Sequence, residues 1–578
     1  MKTNKHYLLF LVSILTFQFN FAQSAPIIID GLFDDWNAGL TTFTDATETT
    51  SGVDFLELQV TNDADYLYIK IKADKEFDLT EGTTIRSFFL HLDTDNDAAT
   101  GDNVRSDYGA ELSIDFANRI VYNNFAGTPD AEVRFADIEF RPAPTVTSEE
   151  FEFAISRDAI PDGVNALFPS STIKLLLENR EDSDWVPNVG SVFTYTFDET
   201  PTTPYTLIDF DKTDNSFIRV MAYNALQDGL LNSSRVDDFE RIIKAAKPDI
   251  VGFIESSNTS ATFVKSLFDT WFPLGTADGW YVEKHGGEVT VSRWEITQRW
   301  DSLTRQFPVL IDLPESYGID LLYTNAHLNC CGADDARQDQ VDQYAAFILD
   351  AKSPGGDITL PQNTPFIYSG DLNLVGLSQQ LTTLVTGDIQ NTGTYGAGGK
   401  LDWDNTDLHE ENALQSDINM GYTWRSDTSS FPTGKLDFII FSDYILTSEK
   451  SFVIQTEVMS NDRLNMYGLT ANDSSTASDH FPVIADFSID KTLSTPEASL
   501  ITNTVYPNPT FGNINVSFKD YKQYIINVYD ITGNSILSTE IENNRVLLNI
   551  DSVASGIYFL RVQDKELGNS QTIKIIKE

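Results

Sequence analysis

Cysteine is nearly absent. The 578-residue chain has two, Cys330 and Cys331, and they are adjacent. A framework of disulfides is therefore excluded, and so is a zinc centre built on four thiolates. Neighbouring cysteines can close only a strained vicinal bridge, and the sequence leaves open whether they do so or stand as two thiols in a loop. Positive charge is scarce as well: 39 lysines and arginines face 86 aspartates and glutamates, a net charge of -47. Avid nucleic-acid binders carry a basic footprint that is missing here. No basic stretch interleaved with aromatics offers a face for single strands either. An acidic surface can still surround a site for an anionic substrate when bound cations supply the local positive charge. Heavy acidity also suits an exported protein that must stay soluble. Beyond the N-terminus no apolar run is long enough to span a bilayer, and no amphipathic or aromatic loop indicates membrane insertion.

What is present reads as globular and multidomain. The chain is 41% hydrophobic, 12% aromatic and 22% charged, which can build real cores. Its length predicts three or four domains. Residues 1–22 have the pattern of a signal peptide. Lys2 and Lys5 precede the short apolar run Tyr7 to Phe19, and Phe21-Ala22-Gln23 offers a small-residue cleavage point. A membrane anchor would need ~18 or more apolar residues, and Gln18 and Asn20 interrupt this run.

Three regimes follow. Residues 25–205 alternate with period two in runs such as Leu56 to Val60 and Tyr66 to Ile71, punctuated by Asp, Gly, Asn and Pro. This predicts a β-sandwich. Thr200 to Pro204 reads as a linker. Residues 216–490 alternate strands with helices. Ile218 to Tyr223 is a predicted strand and Val236 to Ala246 a predicted helix, with Phe239, Ile242, Ile243 and Ala246 on one face; Ile250 to Ile254 is the next strand. That alternation predicts an α/β domain. Residues 498–578 carry 7 basic and 8 acidic residues, so the excess acidity lies upstream of this tail. Predicted strands at Tyr524 to Tyr529, Arg545 to Ile550 and Ile557 to Val562, with a hairpin turn at Asp530 to Asn534, make it a small β domain.

The chemistry-bearing residues of the middle region stand at predicted strand ends. Asn224 ends the first strand and Glu255 follows the second. His327, in Asn325-Ala326-His327-Leu328, follows Leu321-Leu322. Asp371 and Asn373, in Gly370-Asp371-Leu372-Asn373, follow Phe366-Ile367-Tyr368. Asp479 and His480, in Ser478-Asp479-His480-Phe481-Pro482, precede Val483-Ile484. Strand tips are rigid, so tips from different strands can hold several polar groups around one point. Oxygen ligands such as Asn224, Glu255, Asp371, Asn373 and Asp479 suit a hard cation such as Mg²⁺. Histidine can act as a general base or a phosphate partner. Singly these signals are weak, and a glutamate after an apolar run is usually a solvated strand end. Their ordered set carries the reading.

In order and spacing this set resembles the endonuclease/exonuclease/phosphatase superfamily, whose fold is that of deoxyribonuclease I. The matching segments are Met221-Ala222-Tyr223-Asn224, Lys247 to Glu255, Asn325 to Leu328, Gly370 to Asn373, Lys435-Leu436-Asp437-Phe438-Ile439 and Ser478 to Pro482. Val291-Ser292-Arg293-Trp294 also looks like a family element. The resemblance implies a four-layer α/β sandwich over residues 216–490 and a divalent cofactor, Mg²⁺ or else Mn²⁺ or Ca²⁺. It implies that Glu255 is the main metal ligand with Asn224 beside it, and that Asp479 touches the metal or a water in its shell. Asp371 and Asn373 would position the nucleophilic water and the phosphate. His480 would be the base or proton relay, its ring oriented by Asp437, and His327 would hydrogen-bond a non-bridging phosphate oxygen. Physics agrees: a phosphodiester repels hydroxide, a metal ion neutralises that charge, and a base delivers water in line.

Other residues receive plainer readings. His91, His285 and His409 have no motif around them and are expected to be structural or exposed. Arg337 reads equally as a substrate contact or a surface salt bridge. Asp93, Asp95 and Asp97 crowd one turn and offer a Ca²⁺ site, although a solvated turn is the simpler expectation and the full EF-hand pattern is missing. Ile29 to Trp36 and Phe151 to Ile155 resemble β-sandwich modules related to family 9 carbohydrate-binding domains, which implies a carbohydrate or surface ligand. Val505 to Thr510 and Gly556 to Val562 resemble the C-terminal sorting domain of type IX secretion cargo in Bacteroidetes. That resemblance implies recognition by the secretion machinery and a secreted or cell-surface location. The expected function is thus a secreted, metal-dependent phosphoesterase, most simply a phosphodiesterase acting on nucleic acid, lipid or a small phosphoester. The alternative is a cell-surface carbohydrate-binding or adhesive protein with an inactive catalytic fold. The loops at 256–290 and 376–434 give no code for substrate.

Overall fold

A computed structural model of the chain describes residues 26–47, 52–80, 87–125, 131–181, 183–200, 202–490, 502–518, 521–565 and 570–578. The signal-peptide reading of residues 1–22 lies outside the described residues.

The N-terminal region is two facing sheets, one of five strands and one of seven. Alternation makes them: along Phe55–Asn62 and Tyr66–Phe77, Phe55, Leu58, Val60, Leu67, Ile69 and Ile71 turn inward and are fully buried in one apolar cluster. Aromatic edges interlock there, with Phe77 packing edge-on to both Phe88 and Phe151.

The central region has four layers. Two six-stranded sheets face each other, and helices cover the outer face of each. In the first sheet Ile218–Asn224 runs parallel to Ile250–Ile254 and antiparallel to Val483–Ile489. In the second, Leu321–His327 runs parallel to Phe366–Asp371, which pairs antiparallel with Asp437–Phe441. The helix Val236–Ala246 has the predicted bounds. Asp237 and Asp238 favour its positive N-terminal end, and Lys247 closes it in the left-handed conformation before Pro248. Between the sheets, Asn325 Nδ2 donates to Phe253 O at 2.8 Å and to Val289 O at 3.2 Å, pinning one sheet to the other. Residue 252 must be glycine for this approach, because a Cβ there would stand 2.2 Å from Tyr323 Oη.

The tail forms sheets of three and four strands around Ile514, Val516, Ile526, Val528, Leu560 and Val562. Its strands Gln523–Asp530 and Ser535–Glu542 are joined through the predicted turn, where Asp530 Oδ1 accepts from the backbone N–H of Thr532 and Asn534.

The N-terminal sandwich is fused to the central layers rather than tethered to them. Ile27, Ile29, Trp36, Tyr68 and Ala154 share one apolar cluster with Val220, Val309, Ile367 and Phe487. Ile29 exchanges backbone hydrogen bonds with Asn419 and Gly421. The Trp36 indole N–H donates to Glu152 Oε2 at 2.7 Å, while the N–H groups of Asp30 and Gly31 donate to its Oε1. The residues behind the carbohydrate-module resemblance are thus engaged in an internal joint.

Candidate functional site

The strand register brings the predicted residues together. His327, Asp371 and Asp437 are direct cross-strand partners on three neighbouring strands of the second sheet. Asn224 ends its strand level with Ile254, so Glu255 emerges beside it. The facing sheets turn these tips toward a common point. His327 Nε2 is 3.7 Å from Asp371 Oδ2 and 4.0 Å from Glu255 Oε1, and His480 Nε2 is 3.6 Å from the same Asp371 oxygen. Asn224 Nδ2 donates to Asp371 Oδ2 at 3.1 Å and to Glu255 Oε1 at 3.2 Å.

The backbone around Glu255 is held tightly. Glu255 itself (φ 55) and Leu226, Gln227 and Asp228 (φ 42, 52 and 60) all adopt left-handed conformations that non-glycine residues avoid. Gln227 N–H donates to Glu255 Oε2 at 2.9 Å, and Asp228 N–H to Glu255 O at 2.8 Å. Asp228 in turn accepts from Asn258 and Thr259. Asn373 is left-handed too (φ 49); its N–H donates to Asp371 Oδ1 at 3.0 Å and its Nδ2 to Leu328 O at 3.2 Å.

His480 faces a buried carboxylate. Its Nδ1 lies 2.8 Å from Asp437 Oδ2, which also accepts from Thr423 Oγ1 at 2.8 Å. Ser478 ties this loop to the first sheet, donating through Oγ to Asn224 O at 2.8 Å and accepting from His480 N–H at 3.1 Å. Asp479 Oδ2 accepts from the Trp424 indole at 3.1 Å, while Asp479 Oδ1 is buried and accepts no hydrogen bond among the described residues.

The electrostatics follow from this crowding. Burial disfavours a charged His480 ring, but the facing carboxylates of Asp437 and Asp371 outweigh it and push the imidazole up to about 10. Burial, with the nearby Asp437 carboxylate, pushes Asp371 up to about 7. Burial, then Arg305 and His480, lowers His327 to about 3, so its ring is neutral.

The donor set fits a hard divalent cation. One ligand atom each from Glu255, His327 and Asp371 lies within 4.8 Å of the others. Two carboxylates with one imidazole suit a hard or borderline divalent cation better than a soft one. Asn224 Oδ1 accepts from Leu226 N–H at 2.9 Å, so its amide mainly donates to the two carboxylates. Asp371 and His327 form this cluster with Glu255, and Asp479 stands outside the trio. Beside it a cleft of about 380 Å³ is lined by Gln227, Asp228, Glu288, Arg305 and His327.

Other residues noted in the sequence stand away from this cluster. Arg337 does form a salt bridge, to the half-buried Asp334 at 2.7 Å, but its own side chain is fully buried. It donates to Gln380 Oε1 and to the carbonyls of Asn329 and Cys331, clamping the loop that follows His327. His91 is buried between Ser113 and Glu178 and stacks on Phe89. Cys330 and Cys331 are free thiols on the surface.

Sequence reasoning missed Thr423, Trp424 and Arg305. Arg305 donates through Nε to His327 O and places a guanidinium next to the cleft. None of the three stands in a motif, and only the fold brings them in. Missed as well was a strap from the N-terminal sandwich. Thr145 Oγ1 donates to Leu374 O at 2.7 Å and lies 3.4 Å from Lys435 O, and Thr147 N–H donates to Gly376 O at 2.9 Å. The sandwich therefore touches the loop that carries Asn373 and the segment that leads into the strand opening at Asp437.

Residues 221–480 match the model of the Endonuclease/Exonuclease/phosphatase family. The chain thus carries a domain of that family of phosphoester hydrolases. Residues 504–578 match the Secretion system C-terminal sorting domain, which marks a secreted or cell-surface protein. A curated relative, an endo-acting ulvan lyase of Formosa agariphila, is 26% identical over 90 residues, 15% of this chain; the chain spans 17% of that protein's length. Among solved structures, a mutant beta toxin of Staphylococcus aureus with bound magnesium ions is 15% identical and matches 47% of this chain and 99% of its own, with a TM-score of 0.30. Sphingomyelinase C of Streptomyces griseocarneus is 17% identical over 47% of this chain and 99% of its own, with a TM-score of 0.28. The AP endonuclease LMAP of Leishmania major is 13% identical over 49% and 92%, with a TM-score of 0.27.

Proposed function

We propose that this protein is an exported, divalent-metal-dependent phosphodiesterase that hydrolyses P–O bonds by in-line attack of water. The observation that carries the reading is the convergence of Glu255, His327 and Asp371 on one point, faced by a histidine whose far nitrogen is held by a buried carboxylate.

Glu255 would hold the cation, with Asp371 closing the donor set and Asp479 meeting its water shell. A bound divalent ion would neutralise phosphate charge and stabilise the leaving oxygen. With the Asp371 charge offset by a bound cation, one of the two carboxylates that raise His480 would be silenced, and the neutral ring would take the proton of the attacking water at Nε2 while Asp437 fixes Nδ1–H and stabilises the imidazolium that forms. Asp371 and Asn373 orient the water and the phosphate. His327, neutral in this environment, donates to a non-bridging oxygen, and Arg305 adds positive charge at the cleft. The sorting domain supports export.

The test is hydrolysis by the purified mature protein of plasmid DNA, RNA, sphingomyelin and nitrophenyl mono- and diesters, each with Mg²⁺, Mn²⁺, Ca²⁺ or EDTA. Metal-dependent cleavage of a diester is expected, and the preferred member names the substrate branch. Silence across the panel from a folded protein would overturn the proposal.

A further inference from the structure

The N-terminal sandwich holds a second carboxylate cluster that phosphoester chemistry does not use. The strand Phe88–Asp93 ends at Asp93, whose side chain is fully buried. The chain then turns through Thr94 to Thr100, opening on Asp95. Glu111, between the strands Tyr108–Ala110 and Leu112–Asp115, is 2% exposed. One carboxylate oxygen from each of Asp93, Asp95 and Glu111 lies within 4.8 Å of the others. Asp97, which the sequence grouped with the first two, is exposed, and its Oδ1 accepts from Ala99 N–H at 3.0 Å. Glu111 takes its place.

The cluster is underneutralised. Lys174 Nζ donates to Asp93 Oδ2 at 2.6 Å and answers one of three carboxylates. Two oxygens of the cluster, Asp93 Oδ1 and Glu111 Oε1, are buried and accept no hydrogen bond among the described residues. The other oxygens are matched: Glu111 Oε2 accepts from Thr94 N–H at 2.8 Å, and Asp95 accepts from Asp97 N–H at 2.9 Å and from Thr100 Oγ1 at 2.9 Å. Buried polar groups in folded proteins nearly always have partners, and an unmet carboxylate oxygen is costly. Two orphan oxygens in one carboxylate cluster therefore point to a ligand. Glu111 Oε1 faces the turn, since a Cβ on Gly101 would stand 2.7 Å from it.

We propose that Asp93, Asp95 and Glu111 bind a calcium ion that braces the turn 94–101 against Glu111. All three ligands are oxygen, and their mutual spacing suits Ca–O bonds of about 2.3–2.6 Å. A Mg²⁺ ion, at about 2.0–2.1 Å with strict octahedral demands, would draw the oxygens closer. The ion supplies the charge that Lys174 does not. It is separate from the cluster at Glu255 and plays no part in phosphoester chemistry.

The test is calcium titration calorimetry on the full chain carrying Glu255→Gln, which silences the other cluster, together with thermal melts. The Glu255→Gln protein is expected to take up one equivalent of calcium and to melt at higher temperature with calcium than with EDTA. Adding Glu111→Gln should remove that equivalent and the shift. If that variant does not fold, Asp95→Asn, in the half-buried turn, must give the same loss. Absence of calcium uptake by the Glu255→Gln protein, or undiminished uptake after Glu111→Gln or Asp95→Asn, would overturn the proposal.

Discussion

Replacing Thr145 by valine removes one hydroxyl and almost no volume. In the native chain that hydroxyl has one proton to give, and the 2.7 Å contact to Leu374 O outranks the 3.4 Å approach to Lys435 O. A hydrogen bond contributes about 1 kcal/mol net, and a carbonyl left buried without a donor costs about 1–3 kcal/mol. Thr145→Val should therefore lower unfolding free energy by about 1–3 kcal/mol. Leu374 follows Asn373 directly, and Lys435 stands two residues before Asp437. If about 1 kcal/mol of that loss appears as misplacement of these loops, kcat should fall roughly fivefold with KM little changed. Gly434→Ala probes the same contact from the other side, because its Cβ would stand 2.6 Å from Thr145 Cγ2. It should be worse than Thr145→Val. Thr145→Ser keeps the hydroxyl and deletes that methyl, so Gly434→Ala/Thr145→Ser should recover most of the loss. The assays are denaturant unfolding and steady-state turnover of a nitrophenyl diester. Unchanged stability and kcat in Thr145→Val, or no recovery in the double variant, would refute the idea that the sandwich holds the site loops in place.

Glu255→Gln and His480→Ala should each abolish turnover while circular dichroism and melting stay close to the parent; retained activity in both would sink the site assignment. Asp437→Asn should lower kcat by about 10²–10⁴, because an amide facing His480 Nδ1 no longer enforces the ring tautomer that leaves Nε2 free to accept a proton. EDTA should stop turnover and Mg²⁺ restore it, read by the same diester assay. Arg219→Met should destabilise by about 3–5 kcal/mol in denaturant unfolding, since Asp486 would be left buried and unpaired; in the native chain Arg219 Nε and Nη2 each meet an Asp486 oxygen at 2.6 Å.

The chain's sequence was enough for the order of its parts. Period-two runs became the sandwich strands, and the apolar face at Phe239, Ile242, Ile243 and Ala246 became the helix Val236–Ala246. It also marked the residues that meet at the site, because Asn224, His327 and Asp371 end strands and Glu255 follows one. These are local signals, carried by side-chain periodicity and by residues next to each other in the chain.

Convergence was not local. His327, Asp371 and Asp437 became neighbours through the register of three strands, and Asn224 joined them because a second sheet packs face to face with theirs. Thr423, Trp424 and Arg305 reach the site from loops whose composition carries no code. Glu111 replaces Asp97 in the second carboxylate cluster because a strand connection, not a turn, delivers it. The fusion of the sandwich onto the site loops through Ile29, Trp36 and Thr145 was likewise invisible, since segments that read as an independent module bury their apolar groups against a partner far along the chain. Propensity and periodicity depend on neighbours in sequence; which strand tips share a point, and which surfaces are covered, depends on long-range packing that only the tertiary fold decides.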